Sequence, residues 1–306
     1  MSNFPNHQES LFDHDDQPPY FGSAAEKWDM ETVKHSLDEL FLLTSQYRAS
    51  SSYMELLDFI RKFPHIAPFN AMLAHIQMPG ATFILSPYKW RTFFDRTIKP
   101  GARPIVILRT MGPVDFVFDV SDTEGTPLPP RIENSFAIRE GNIGKALCFT
   151  EENCKRDGIY IYKSNLGSTG AGSIRTARTD RVQVFRKNSI PVLFELEVSE
   201  RRSPEQRYAT IAHELGHLYC GHLGTKNPLW WPDRRGLTHS IVEFEAESVS
   251  YLVCKRFGLK TASEEYLAGY VRSQTEVPPI SLECVMKAAG LIEKMGKELM
   301  ILRKTK

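Results

Sequence analysis

Residues 203–223 read SPEQRYATIAHELGHLYCGHL, and the rest of the chain is organised around this stretch. It contains the pattern His-Glu-x-x-His, with histidines at positions 213 and 217. Residues i and i+4 of an α-helix share a face, so His213 and His217 can direct two imidazoles at one metal ion. On a helix, the intervening Glu214 lies at the edge of that face.

Local signals indicate that this stretch is helical. Ser203 is a favourable N-cap, Pro204 suits the first helical position, and Gln206 completes a capping box with Ser203. Apolar residues recur at helical spacing, and Gly221 offers a stop. The alternative is an amphipathic helix whose two histidines serve packing only.

The composition is that of an ordinary globular protein. The length of 306 residues predicts one or two domains. The content of 42% apolar and 25% charged residues is ordinary for a globular protein. The net charge of +1 predicts no strong attraction to nucleic acid or membrane. No apolar run approaches the roughly 18 residues of a membrane span, and the polar, acidic N-terminus does not resemble a signal peptide. Five cysteines at irregular spacing predict a reducing, cytoplasmic location rather than a disulfide framework.

Changes in composition along the chain predict three segments. Residues 1–25 are poor in aliphatic side chains and rich in acids, which is typical of a disordered tail. Residues 26–130 combine helical spacing with two short strands and form a predicted N-terminal α/β domain. Prolines near residue 130 mark the domain edge, and residues 131–306 form the second domain.

The N-terminal domain contains a basic segment with interleaved aromatic residues. Between residues 89 and 109, six lysines and arginines stand against one acid, Asp95. Such a pattern can bind single-stranded nucleic acid by phosphate contact and base stacking, with Trp90, Lys99 and Arg103 as candidate contacts. The alternative is a solvated basic face over an aromatic core, which is common on ordinary surfaces.

Strands are predicted in the second domain ahead of the histidine helix. Residues 192–198 alternate cleanly between apolar and acidic side chains, as in a half-buried strand, and two more apolar runs precede them. If the strand at 192–198 lies at the sheet edge, it can bind an extended substrate as an added strand. The glycine-rich run at 167–173 lacks phosphate-loop spacing and is expected to be a flexible loop near the mouth of the site.

A catalytic zinc site needs a third protein ligand and an open position for water. A second helix, predicted from about residue 240 to 257, offers Glu243, Glu245 and Glu247. Glu243 and Glu247 share a face, whereas Glu245 points about 200° away from Glu243. We therefore expect Glu243 to be the ligand and Glu247 to be an acceptor for a ligand histidine, with a solvent-facing acid as the alternative for Glu247.

His222 is a competing candidate for the third position. The pattern with a third histidine, H-E-x-x-H-x-x-G-x-x-H, requires that histidine at residue 223, which is leucine. The glycine of that pattern falls on Cys220. His222 is therefore expected to support the ligands or to have no role in the site.

This ligand set predicts metal-assisted hydrolysis. Zinc lowers the pKa of bound water and polarises a carbonyl. Glu214 adjoins the ligands and is expected to take the water proton and pass it to the leaving amine of a peptide bond.

The paired motifs resemble the ImmA/IrrE family of zinc metallopeptidases. His213-Glu214-x-x-His217, followed by Glu243 with Ala246 three residues on, matches that family's pattern over roughly residues 140–260. The resemblance implies zinc ligands His213, His217 and Glu243, catalytic Glu214, and a specific protein substrate such as a transcriptional repressor. The chain departs at Glu247, where the family more often carries Asn or Asp.

Residues 69–103 resemble the N-terminal domain of ArdC-type antirestriction proteins, which combine a single-strand DNA-binding domain with a zincin-like domain. Together these features predict an α+β chain with a zincin-like metallopeptidase domain after a smaller N-terminal domain. The predicted function is zinc-dependent cleavage of a specific intracellular protein. The alternative is a single-stranded DNA-binding, antirestriction-type protein whose zinc site is mainly structural.

Overall fold

The computed structural model describes residues 47–109, 114–128, 143–165, 172–178 and 180–303. The predicted acidic tail and the helical pattern up to residue 46 lie outside these ranges. The described residues divide into two units: residues 58–109 and 114–128 form the first, and residues 47–57 with those from 143 onward form the second. Within these residues helices alternate with small sheets, which confirms the predicted α+β class.

The first unit is built from three helices and two small antiparallel sheets. Its elements are the end of α1 (Ser50–Lys62), α2 (Pro68–Gln77), β1 (Ile84–Leu85), α3 (Pro87–Phe94), β2 (Arg96–Ile98), β3 (Ile105–Leu108), β4 (Val114–Asp119) and β5 (Thr123–Gly125). One sheet has the order β1-β4-β3, and the other pairs β2 with β5. The predicted strand pair at 105–108 and 114–120 is present.

An aromatic cluster fills the core of the first unit. Trp90 has no exposed surface, and its indole N–H donates to the Phe118 carbonyl at 2.9 Å. Phe83 and Phe94 pack edge-on and tilted against it. A base cannot stack on a ring that is fully covered, so the nucleic-acid contact predicted for Trp90 is wrong for this structure, and Trp90 is a core residue.

Within the described residues, the second unit combines a three-stranded sheet, a hairpin, the start of α1 and five further helices. Its elements are the start of α1, α4 (Gly144–Arg156), β6 (Ile159–Ser164), β7 (Gly172–Thr176), β8 (Val182–Phe185), β9 (Asn188–Pro191), β10 (Phe194–Ser199), α5 (Pro204–Tyr219), α6 (His239–Arg256), α7 (Ala262–Ser273) and α8 (Leu282–Lys297). The strands β8 and β9 form the hairpin.

In the sheet, β10 lies between β6, which is parallel to it, and β7, which is antiparallel. Phe194, Leu196 and Val198 are buried as predicted, but Glu195 on the opposite face is buried as well, so the burial does not alternate cleanly. Because β10 is hydrogen-bonded on both sides, it cannot accept an added strand, and the condition set for peptide binding by residues 192–198 is not met. The edge strand next to α5 is β7.

The glycine-rich run was predicted to be a loop, but its last two residues begin β7. The part from residue 167 to 171 lies outside the described residues. Gly172 is required where β7 starts, because a Cβ there would lie 2.5 Å from the Thr210 side chain and 2.6 Å from the Glu197 carbonyl oxygen. Only glycine lets this end of β7 approach both β10 and α5 so closely.

Helices α5 and α6 form the scaffold of the candidate site. The capping box predicted at the start of α5 is present, with Ser203 accepting from the Gln206 N–H and Gln206 accepting from the Ser203 N–H. The two helices meet at Gly216, where a Cβ would lie 3.1 Å from the Ala246 Cα. The small residues at this crossing bring the histidine face of α5 close to the acidic face of α6.

No helix in the described ranges is both long and apolar enough to cross a membrane.

Candidate metal centre

Three donor atoms from α5 and α6 converge on one point. The Nε2 atoms of His213 and His217 lie 3.2 Å apart. The carboxylate of Glu243 approaches them from α6, with one oxygen 3.5 Å from His217 Nε2 and the other 3.7 Å from His213 Nε2. These three residues form one of the groups of donors close enough to hold a metal ion.

The separations between the donors are short enough for all three residues to bind one metal ion. Zinc binds histidine nitrogen at about 2.0–2.1 Å, so the edges of its coordination tetrahedron are about 3.3–3.4 Å long. The observed donor separations of 3.2, 3.5 and 3.7 Å lie near that length. Three protein donors would leave room for a further ligand on a bound ion.

His213 is oriented by a second acid on α6. Its Nδ1 lies 3.7 Å from Glu247, one helical turn beyond Glu243. Burial lowers the pKa of His213, but the carboxylates of Glu247, Glu214 and Glu243 together outweigh burial, and the net shift is upward. The pKa of Glu247 is lowered in turn, because His213 and Ser263 overcome the effect of its burial. The structure therefore places Glu247 beside a predicted ligand histidine rather than in open solvent.

His217 is held neutral by its surroundings. Burial, together with the neighbouring rings of His213 and His222, lowers the pKa of His217 to about 3. Its Nδ1 lies 3.1 Å from the Nδ1 of His222. A neutral imidazole with a proton on Nδ1 presents the Nε2 lone pair that a metal requires.

Glu214 lies next to the converging donors without being one of them. It is 8% exposed, and burial raises the pKa of its carboxyl group. The neighbouring His213 and, to a smaller extent, the backbone of Ile174 on the edge strand β7 limit that rise in pKa. A carboxylate with a raised pKa beside a metal-bound water is suited to accept and release a proton near neutral pH.

Glu245 and its hydrogen-bond partners lie behind the histidines. The sequence predicted no role for Glu245 in the site. Glu245 is fully buried, and its two oxygens accept from His222, from both terminal nitrogens of Arg234 and from the Ser281 N–H. Burial raises the pKa of Glu245, but these donors outweigh it and the pKa is lowered. The sequence does show Glu245 as a third acid on α6. Helical spacing predicts only that it lies on a different face of the helix from Glu243.

A further histidine lies close to the Glu243 carboxylate. His239 is one turn before Glu243 and has its Nδ1 3.7 Å from that carboxylate, with most of its side chain exposed. Lys99 and Arg103 belong to the first unit and are exposed, and the Lys99 ammonium donates to the Ser121 carbonyl at 2.8 Å.

Fold and site together define an α+β chain whose second unit carries a candidate metal centre of two histidines and a glutamate. No family model matches this chain, and no curated protein matches its sequence. Among solved structures, it is similar to the Mn(II)-bound antirestriction protein ArdC from plasmid R388, at 13% identity and a TM-score of 0.32. That match covers 74% of this chain and 84% of ArdC. The motif resemblance to ImmA/IrrE peptidases stays a prediction.

Proposed function

We propose that this chain is a zinc-dependent metallo-endopeptidase that hydrolyses a peptide bond of a specific intracellular protein. The observation that carries the proposal is the convergence of His213, His217 and Glu243 beside the buried Glu214. Two imidazoles and one carboxylate are a donor set typical of catalytic zinc.

Bound zinc would supply Lewis acidity, lowering the pKa of a water and polarising the scissile carbonyl. Glu214 takes one proton from the attacking water as the new bond from water oxygen to carbonyl carbon forms. It then delivers that proton to the leaving nitrogen as the carbon–nitrogen bond breaks. His213, His217 and Glu243 would hold the zinc ion, and the carboxylate of Glu247 and the ring of His222 would orient the two imidazoles.

The position of β7 gives the substrate a place to align. This edge strand runs beside α5, where Gly172 packs against Thr210, and the backbone of Ile174 influences the pKa of the Glu214 carboxyl group. An extended peptide that adds to β7 would pass its backbone in front of Glu214, which is how sheet edges commonly bind peptides.

The test compares the full chain with Glu214→Gln, which keeps the three donors and removes the proton acceptor. We expect about one zinc per chain in both proteins by elemental analysis. We expect cleavage to fall by at least about 100-fold in the variant, the range of a lost general base. Cleavage is measured as new protein N-termini in cells that express either protein, and with a labelled unfolded protein in vitro.

His213→Ala serves as the companion variant, because it removes a donor and should reduce both zinc content and cleavage. Zinc bound at one per chain with the same set of N-termini for wild type and Glu214→Gln would contradict the peptidase proposal. Preferential retention of another divalent metal would instead correct the identity of the ion.

The second candidate function is binding of single-stranded DNA by the first unit. It is favoured by the exposed side chains of Lys99 and Arg103, and by Tyr88, whose side chain is 44% exposed. Binding of a single-stranded oligonucleotide that weakens with salt, and weakens further in the Lys99→Ala Arg103→Ala double variant, would support it. No binding at low salt would exclude it.

A further inference from the structure

We propose that His222 is a positioning residue for the ligand His217, and that Glu245 and Arg234 hold it in that role. The proposal deepens the metal centre of the proposed function and rests on it. It assigns a role to a buried group of residues that takes no part in the hydrolysis itself.

The group forms a continuous path to the metal position. The Nδ1 of His217 faces the Nδ1 of His222 at 3.1 Å, and the Nε2 of His222 donates to Glu245 at 2.8 Å. Because Glu245 can only accept, the Nε2 of His222 donates to it, and a neutral His222 ring then accepts at Nδ1. His217 must then donate from Nδ1, which leaves its Nε2 lone pair directed at His213 and Glu243.

The same residues could be mistaken for a second metal site. Cys220, His222 and Glu245 have donor atoms close enough to hold an ion. However, Arg234 places its guanidinium on both oxygens of Glu245, at 2.6 and 2.8 Å. The position a cation would take is already filled by a positive side chain in bidentate geometry, so the carboxylate is neutralised without a metal.

Backbone contacts fix Arg234 in this position. Its N–H donates to the Gly221 carbonyl at 2.9 Å, and its Nη1 donates to the Cys220 carbonyl at 3.0 Å. Gly221 has φ of 88°, and a Cβ there would collide with the Pro232 carbonyl oxygen. Glycine is thus required where the segment carrying Arg234 folds back onto the end of α5.

Glu245 also ties this group to a third element. One of its oxygens accepts from the Ser281 N–H at 2.7 Å, just before α8. With four donors around a carboxylate that has no exposed surface, Glu245 cannot turn away, and the ring of His222 is fixed with it. His217 therefore contacts a hydrogen-bonded network of protein side chains that is anchored on the buried Glu245.

The experiment measures zinc affinity of the full chain by competition with a chelator. We expect His222→Ala and Glu245→Gln to weaken zinc binding about 10- to 100-fold, the effect typical of lost partners of a ligand histidine. His222→Gln retains an acceptor for His217 and a donor for Glu245, so we expect a smaller loss than for His222→Ala. In the zinc-loaded wild type, NMR should detect a slowly exchanging proton on His217 Nδ1, and His222→Ala should lose that protection.

Glu293→Gln is the matched control, because Glu293 is a buried carboxylate of the same unit that pairs with Arg256 away from the donors. It should lower stability and leave zinc affinity within a few-fold of wild type. Wild-type zinc affinity in His222→Ala, or an equal loss in Glu293→Gln, would overturn the positioning role.

The results of these experiments distinguish failure of this proposal from failure of the peptidase proposal. Wild-type protein that binds zinc tightly but cleaves no protein would remove the hydrolytic function and leave the affinity test intact. Wild-type protein that binds no divalent metal would overturn both.

Discussion

Asp157 in the second unit shows how hydrogen bonds and ion pairs stabilise a buried charge. Asp157 has a fully buried carboxylate. It accepts from Arg156 at 2.7 Å, from Arg303 at 2.6 Å and from the Tyr219 hydroxyl at 2.8 Å. Burial alone would raise the pKa of Asp157, but the two guanidinium groups outweigh it and the pKa lies below its ordinary value of 3.8. The cluster holds the segment after α8 against the end of α4.

Asp157→Asn is therefore expected to reduce the free energy of unfolding at pH 7 by about 3–5 kcal/mol, because two buried guanidinium groups lose their counter-charge. A carboxyl group with a depressed folded-state pKa contributes stability above its unfolded pKa and loses it as pH falls through the folded value. The difference between wild type and variant should thus be constant near neutrality and shrink below about pH 4. Urea unfolding at pH 7 and pH 3 measures it. A difference that grows on acidification would contradict this assignment.

The same scale shows what sequence could and could not reveal about the site. Helical spacing alone predicts that His213 and His217 share one face of α5. The structure brings Glu243 of α6 to that face. Glu245 was assigned to another face of α6, and that face proves to be buried as well, since Phe244, Glu245 and Ala246 are all covered. Spacing predicts which residues share a face, but it does not predict what packs against each face.

At the scale of elements, the crossing of α5 and α6 decides how well the donors converge. A Cβ at Gly216 would lie 3.1 Å from the Ala246 Cα and 3.2 Å from the Val249 Cβ, so neither backbone nor a branched side chain can yield easily. This close approach explains why the side chain at position 246 is small. It lies three positions after Glu243 and faces Gly216, so it lets the acid reach the histidines.

Gly216→Ala should push the two helices apart by a few tenths of an ångström and weaken zinc binding several-fold. The gain in helix propensity is up to about 1 kcal/mol, but overpacking costs about 1–3 kcal/mol, so we expect a net loss of stability. Gly269→Ala is the control, since α7 is also helical there and a Cβ at Gly269 meets nothing within 4 Å. That variant should gain stability and keep zinc affinity. Equal behaviour of the two variants would show that the crossing has no role.

Elements whose residues carry their own end signals were predictable, and those defined by partners were not. The capping box fixed the start of α5, and alternation identified β10. The edge strand β7 was missed because its first residues are Gly172 and Ser173, which have low strand propensity, and its pairing with β10 supplies what local preference lacks. Likewise, β10 is the central strand because it pairs with both β6 and β7, and its own sequence does not predict this.

At the scale of the whole molecule, one helix contributes to both units. Residues 47–57, which include the start of α1, group with the second unit, and residues from 58 onward group with the first. Tyr53 is fully buried and donates to Ser248 on α6 at 2.6 Å. Phe59, two turns later, packs against Phe63 and the ring of His75 on α2. The sequence placed the whole of this helix in the N-terminal domain, because contacts between residues 195 positions apart leave no local signal.

Two truncations on this helix should therefore weaken different parts of the chain. Tyr53→Ala removes a buried aromatic ring from the second unit, and we expect a loss of about 3–5 kcal/mol there. Hydrogen exchange followed by mass spectrometry should speed up in α6 and leave α2 unchanged. Phe59→Ala is matched in size and helix and should do the reverse. Because Glu243 lies on α6, only Tyr53→Ala should also weaken zinc binding. Faster exchange in α2 on truncating Tyr53, with α6 protected as before, would place residues 47–57 in the first unit.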